Sequence, residues 1–326
     1  MKYCNKCILS DNIFSVKINE DGLCNYCISD TQPLVHELEV IGDLTNYKKG
    51  TEYDVVLAYS GGKDSTYTLY LLRQQYNLKV LAITFDNGFL AEETYDNIRN
   101  VTSNLNVDSL VIAPSVKKLN MIFKYADEDK SLPLKSLERA SSICTYCIGL
   151  VKMNVYKEAI MRKIPLIAFG WTPGQINLKK QVVKLDYKIV KSNFARMKKN
   201  IIKEFGEEYK SLLLTDEILD SNKDNIPSLL YPFPNNNYSE INIFEEITKI
   251  GWKKPRCTDS NSTNCMLNAY AIYSHKEKYG FHPYALELAH LVRNNLLSRE
   301  EALYRISSDD NMENVNSVKN KLYNIG

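Results

Sequence analysis

The 326-residue sequence predicts an α/β protein built on a doubly wound, mostly parallel sheet. Three observations predict it. Apolar, β-branched runs alternate with helix-patterned stretches from residue 53 to about 170. The first run ends in a Gly-Gly turn that leads directly into a helical pattern. Four cysteines crowd the first 27 residues and mark a separate small unit in front.

Taken in order, residues 1–30 read as a cysteine-framed knuckle with a turn at Asn19-Glu20-Asp21-Gly22. Residues 31–52 read as a helical or irregular connector. Residues 53–175 carry the sheet. Tyr53-Asp54-Val55-Val56-Leu57-Ala58-Tyr59 is a buried strand, and 65–75 a helix with Leu69 and Leu72 on one face. A second strand, 78–85, ends in the turn Asp86-Asn87-Gly88. A helix over 91–105, a strand over 109–113, a helix over 145–162 and a strand over 165–170 follow. Right-handed crossovers then place a ligand at the carboxyl ends of the strands. Residues 176–326 are predicted mostly helical, with helices over 195–214, 240–250, 266–278, 283–294, 298–306 and 311–323. The stretch 227–237, rich in Pro and Asn, reads as an irregular loop.

Composition narrows the function classes. With 44% hydrophobic and 25% charged residues, the chain has the make-up of an ordinary globular protein. No apolar run approaches the ~20 residues that span a bilayer. Met1-Lys2-Tyr3-Cys4 lacks the apolar core of a secretory signal, so a cytoplasmic address is expected. A net charge of +2 does not imply a nucleic-acid partner by itself. Residues 177–210 carry ten Lys or Arg against four acids, which reads as a solvated helix face or a surface for phosphates.

Ser60-Gly61-Gly62-Lys63-Asp64-Ser65 lies between a strand and a helix, where phosphate chemistry needs it. Two glycines let the backbone turn tightly and aim N–H groups at an anion. The helix adds its positive end. Lys63 brings a full charge, and the Ser60 and Ser65 hydroxyls are donors. The spacing differs from a Walker loop, which has four residues between its first Gly and its Gly-Lys pair.

This segment resembles the SGGxDS signature of the PP-loop ATP pyrophosphatases, a superfamily that includes tRNA thiolation enzymes, GMP and asparagine synthetases and sugar amidotransferases. The resemblance implies a Rossmann-like PP-loop fold, ATP cleaved between its α and β phosphates, and Mg²⁺ on the pyrophosphate. It implies nucleotide contacts from Ala58, the loop residues Ser60 to Ser65, Thr84, Phe85 and Asp86, and from Gly170 and Trp171. Lys63 and Asp64 would act on the phosphates. Where the superfamily often has Gly-His with acidic residues, this chain has Gly170-Trp171-Thr172-Pro173.

The eight cysteines form two sets of four. Cys4-x-x-Cys7 and Cys24-x-x-Cys27, sixteen residues apart, give four thiolates for a closed tetrahedral zinc site. So short a segment owes most of its folding free energy to the metal. Cys144 and Cys147 open a helix, while Cys257 and Cys265 lie far downstream. These four are compatible with a second zinc, a persulfide-carrying thiol pair, inert buried thiols or an iron-sulfur site. They resemble the layout of the tRNA 2-thiocytidine and 2-thiouridine synthetases, in which a CxxC and one distant cysteine hold a 4Fe-4S cluster with one open iron. The resemblance selects Cys144, Cys147 and Cys265, with Cys257 as a spare ligand or sulfur carrier. His275, His282 and His290 are given no role.

The expected activity is an ATP-dependent sulfurtransferase that adenylates a carbonyl oxygen and replaces it with sulfur. Its substrate is a small metabolite, a nucleobase or tRNA, and its sulfur donor sulfide or a persulfide carrier. A homodimer is expected from the resembling families. The rival is an N-acetyl sugar amidotransferase fed with ammonia by a glutaminase partner. That family resembles this chain at the knuckle, at Tyr279-Gly280-Phe281-His282 and at Ser298-Arg299-Glu300-Glu301-Ala302. A nucleotide- or RNA-binding module without catalysis is the third possibility.

Overall fold

The computed structural model describes residues 1–29, 44, 50–172, 175, 181–232, 238–258, 261–308 and 310–324. The connector expected over 31–52 therefore lies almost wholly outside the described residues, as do Pro173, Gly174 and 259–260.

The sheet forms where apolar, β-branched runs were found: β1 (Val55–Ala58), β2 (Val80–Phe85), β3 (Asp108–Ile112) and β4 (Leu166–Phe169). All four are parallel, with Val55 opposite both Val80 and Leu166. Two further strands, β5 (Val182–Val183) and β6 (Ser228–Leu230), complete the order β3-β2-β1-β4-β6-β5, with β5 antiparallel. The chain thus winds outward from β1 in one direction and from β4 in the other. The crevice beyond the ends of β1 and β4 is the switch point where such sheets bind ligands.

Helices cover both faces. The chain enters the sheet after α1 (Asn25–Ser29), and β1 leads into α2 (Lys63–Tyr70), which runs on through a π turn to Gln75. Then come α3 (Glu92–Asn104), α4 (Val116–Glu128), α5 (Leu134–Leu137) and α6 (Ser142–Met161). Strand alternation divides the core: Val55 and Leu57 face one apolar cluster, and Val56 faces another with Leu81 and Ile83. The first cluster also takes in the N-terminal knuckle.

The rest is α7 (Tyr187–Phe205), α8 (Asp216–Asp220), α9 (Glu240–Lys249), α10 (Leu267–Tyr279), α11 (Ala285–Arg293), α12 (Arg299–Ser307) and α13 (Met312–Asn324). The helix expected over 195–214 instead starts at Tyr187, capped by Asp186, and stops where Gly206 takes φ +91°. Only a 3-10 turn, Glu207–Leu212, follows. The loop expected over 227–237 is likewise corrected, since Ser228–Leu230 pairs with β4 as β6. No described helix is long and apolar enough to cross a membrane.

Candidate active site

A cavity of about 890 Å³ opens at the β1/β4 switch point. Its floor is the loop after β1. Gly61 makes the turn at φ +73°, where a Cβ would stand 2.7 Å from Thr94 Cγ2, and its carbonyl accepts from Trp252 Nε1 at 2.9 Å. Gly170, at the end of β4, passes so close that a Cβ would lie 2.6 Å from Ser65 Cα. Both glycines are therefore required by the backbone's close approach.

The loop's donors divide into two groups. The Ser60 and Ser65 hydroxyls lie 3.0 Å apart. The amide of Lys63 donates to Thr263 Oγ1 at 2.8 Å, and that of Gly62 to Ser60 Oγ at 3.3 Å. The amides of Asp64 and Ser65, in the first turn of α2, have no intrahelical acceptor and face the anion-attracting end of the helix.

Lys63 lines the cavity from the start of α2. Its ammonium is buried and donates to Asp64 Oδ1 at 2.7 Å, Tyr238 OH at 2.9 Å and Glu240 Oε1 at 3.2 Å. Arg305 completes the network on Glu240 Oε2 at 2.7 Å. Burial works against both charges. On Lys63 the anionic surroundings outweigh it and raise the pKa. On Glu240, Arg305 and Lys63 outweigh it and hold the carboxyl down to about 2. The cation is firmly ionised and belongs to a five-residue polar cluster.

The wall opposite carries thiols. Cys144 and Cys147 line the cavity from the first turns of α6, where Ser141 caps the helix by accepting from the Cys144 amide at 3.1 Å. Cys265 joins them because its segment is stitched to the turn after β2. Ala91 N donates to Asn264 O at 3.0 Å, and Met266 N to Phe89 O at 2.9 Å. Asn87, buried in that turn, donates through Nδ2 to Cys265 Sγ at 3.3 Å and to Cys147 Sγ at 3.5 Å. Burial raises the Cys147 thiol pKa, Cys265 adds to the rise, and the Asn87 contact opposes it. Cys257 is exposed and is not part of the lining.

Of the other residues expected at the nucleotide, Ala58, Phe85, Gly170 and Trp171 line the cavity, while Thr84 and Asp86 do not. Thr84 Oγ1 donates to Tyr59 O at 2.7 Å, and Asp86 accepts from Gly88 N and Tyr95 OH. Trp171 stacks on Phe169 and Tyr231, with the Lys152 ammonium 4.6 Å from its ring.

Several lining residues were not foreseen. Asn87 sits in a turn already recognised, at the carboxyl end of a strand beside β1, and that position was the available signal. Glu287 of α11 has no sequence signal. Its carboxylate accepts from Thr172 Oγ1 at 3.1 Å and Gln175 Nε2 at 3.3 Å. Burial lifts its pKa to about 7, with Asp64 adding to the rise.

The N-terminal cysteines make a different kind of site. Their four sulfurs all lie within 4.8 Å of one another, with Cys4–Cys27 at 3.7 Å and Cys7–Cys24 at 3.6 Å. Zinc with Zn–S of about 2.3 Å sets tetrahedral thiolates about 3.8 Å apart. Among the described residues no other trio of metal-ligating side chains is as close, so the cavity thiols are spread wider than one ion's ligands. Arg299 donates to the carbonyls of Cys7 and Cys4, and Phe14 packs edge-on against Phe281 at 5.4 Å, docking the knuckle on the C-terminal helices.

No protein-family model matches the chain. An uncharacterized protein of Methanocaldococcus jannaschii is 26% identical over 308 residues, 92% of this chain and 91% of that one. The glutamine-hydrolyzing GMP synthase of Blochmanniella pennsylvanica is 30% identical over 128 residues, 39% of this chain and 21% of the synthase. Among solved structures, the U34-tRNA thiolase NcsA of Methanococcus maripaludis, with its [4Fe-4S] cluster, aligns at TM-score 0.38 and 16% identity. The alignment covers 100% of this chain and 90% of the thiolase. The NH3-dependent NAD synthetase of Campylobacter jejuni aligns at TM-score 0.29 and 14% identity, covering 54% and 85%.

Proposed function

We propose that this PP-loop-like chain is an ATP-dependent sulfurtransferase, which adenylates a carbonyl oxygen, releases pyrophosphate and puts sulfur in the oxygen's place. One observation carries the reading: a single cavity is lined by the Ser60–Ser65 loop and by three cysteines from two remote segments.

ATP phosphates rest on the Asp64 and Ser65 amides and the Ser60 and Ser65 hydroxyls, at the positive end of α2. Asp64, which lines the cavity, is the carboxylate placed to meet Mg²⁺. Lys63 holds Asp64 and Glu240 in position. The substrate oxygen attacks the α-phosphorus, and pyrophosphate leaves. Sulfide then attacks the activated carbon and gives up its proton, and AMP departs with the oxygen. Neither step changes an oxidation state. Cys144, Cys147 and Cys265, spread wider than one ion's ligands, suit a 4Fe-4S cluster with one iron left open. When bound, the cluster supplies that open position for sulfur. Cys257, exposed and outside the cavity's lining, takes no part in these two steps. The N-terminal four hold zinc as a closed structural site. The substrate is a metabolite, a nucleobase or tRNA.

Anaerobic purification tests the reading. It expects about four irons with acid-labile sulfide, and one AMP and one pyrophosphate for each thiocarbonyl formed. Zinc as the only metal would overturn it. A second reading, an amidotransferase using ammonia, is favoured by the contact between the knuckle and the Tyr279–Phe281 turn. Both segments resemble the N-acetyl sugar amidotransferases, and Asn12 bonds to the Gly280 carbonyl. Ammonia-dependent amide formation by an iron-free protein would establish that reading instead.

A further inference from the structure

We infer that Asn87 is a positioning residue for the cavity's sulfur chemistry: its side-chain amide clamps Cys147 and Cys265 together and stabilises negative charge on both sulfurs. The inference rests on the sulfurtransferase reading and deepens it.

The geometry leaves the amide little choice. Asn87 Oδ1 accepts from the Phe89 amide at 2.9 Å, so the NH₂ end must point the other way. There it meets Cys265 Sγ at 3.3 Å and Cys147 Sγ at 3.5 Å, one donor group serving two thiols from segments 118 residues apart in sequence. The side chain is only 5% exposed, so water does not compete strongly for either contact. The backbone ties beside it, Ala91 to Asn264 and Met266 to Phe89, hold the Cys265 segment against the same turn. Cys144 differs: its thiol lies 3.7 Å from Asn268 Oδ1, an acceptor oxygen, rather than a donor.

Hydrogen bonds to ligating thiolates stabilise the more electron-rich state of the group they hold, and outer-shell donors commonly govern its retention. Asn87 thus makes Cys147 and Cys265 the firmly held pair and raises the reduction potential of the cluster they ligate. Asn87→Asp keeps the shape and the acceptor for Phe89 but removes both donors, and Asn87→Ala removes the whole group.

The experiment uses the full-length, anaerobically purified holoprotein. Expected for Asn87→Asp are a shift of the potential to more negative values and loss of iron to a chelator about 10-fold faster. Asn87→Ala should shift the same way by less, because it adds no charge. A wild-type protein without iron defeats the sulfurtransferase reading itself. Iron-loaded variants with unchanged potential and chelator kinetics defeat the Asn87 inference alone. If neither variant folds, wild-type protein labelled with ¹⁵N-asparagine decides by pulsed EPR of the reduced cluster. A ¹⁵N coupling that appears when the label is in the side-chain amide and is missing when it is only in the backbone supports the contact, and its absence overturns it.

Discussion

The two cysteine sets use the same side chain for opposite ends. At the N-terminus four sulfurs sit 3.6–3.7 Å apart along two edges, are all buried and line no described cavity. In the cavity three cysteines are half-buried and spread wider, and a side-chain amide holds two of them. A closed tetrahedron leaves no position for chemistry, whereas an open trio leaves one. The difference teaches that a single C-x-x-C is a poor guide: the closed set pairs two of them, and the cavity joins one to a distant cysteine.

The largest effect should come from breaking the closed set. Cys24→Ser removes a ligand from a segment with little core of its own, so the knuckle should unfold and zinc content fall by about one per chain. Because the knuckle belongs to the main apolar cluster, much of the protein should turn insoluble. Soluble, zinc-free protein with a wild-type melt would erase the contrast. Next in size is the open set. Cys147→Ala should abolish thiocarbonyl formation while costing about 1 kcal/mol of stability or less. Undiminished product, assayed by mass spectrometry, would show that the cavity thiols are bystanders.

Lys63 sharpens the comparison because it belongs to both categories, buried like the first set and part of the cavity like the second. Lys63→Ala should slow pyrophosphate release by about 10²–10³-fold, since the loop loses its cation and Asp64 its partner, while Glu240 keeps Arg305. It should also lower stability by about 3–5 kcal/mol, the usual consequence of removing one member of a buried ion pair. Release rates and denaturant melts on one preparation separate the two effects. A normal release rate would refute the phosphate assignment of the loop.

How far the sequence reached follows from where its signals are local. β1, β2 and β4 are largely apolar runs, β3 is marked by Leu110-Val111-Ile112, and the loop after β1 is a six-residue pattern, so these were legible. β5 and β6 have two and three residues, too few to display alternation, and exist only because β4 offers an edge. α4 was not among the predicted helices, although Leu119, Ile122, Phe123 and Ala126 make a buried stripe at helical spacing. In the site, motif residues were legible and their partners were not. Tyr238 and Glu240 reach Lys63 from 175 and 177 positions away, Arg305 reaches Glu240 from 65, and nothing in their own neighbourhoods announces it.

Glu287 gives the smallest and most specific test, because it is a cavity carboxyl whose charge, unlike a thiol's, is set by ordinary pH. Its ordinary pKa of 4.5 is raised to about 7 in the folded protein, chiefly by burial. Below pH 4.5 the group is protonated both folded and unfolded, and contributes nothing that depends on pH. Between about 4.5 and 7 the folded protein retains a proton that the unfolded chain has released. Stability from this group therefore falls as pH rises through that window, and levels off above about 7. Glu287→Gln keeps both hydrogen-bonding positions but has no charge to bury. Its melts should match the wild type near pH 4.5 and become the more stable of the two by pH 8. Bound ATP, with its phosphates beside Asp64, adds negative charge nearby and should move the wild-type inflection to still higher pH. Parallel curves for variant and wild type from pH 4.5 to 8 would place Glu287 among solvated carboxylates and remove it from the cavity's working groups.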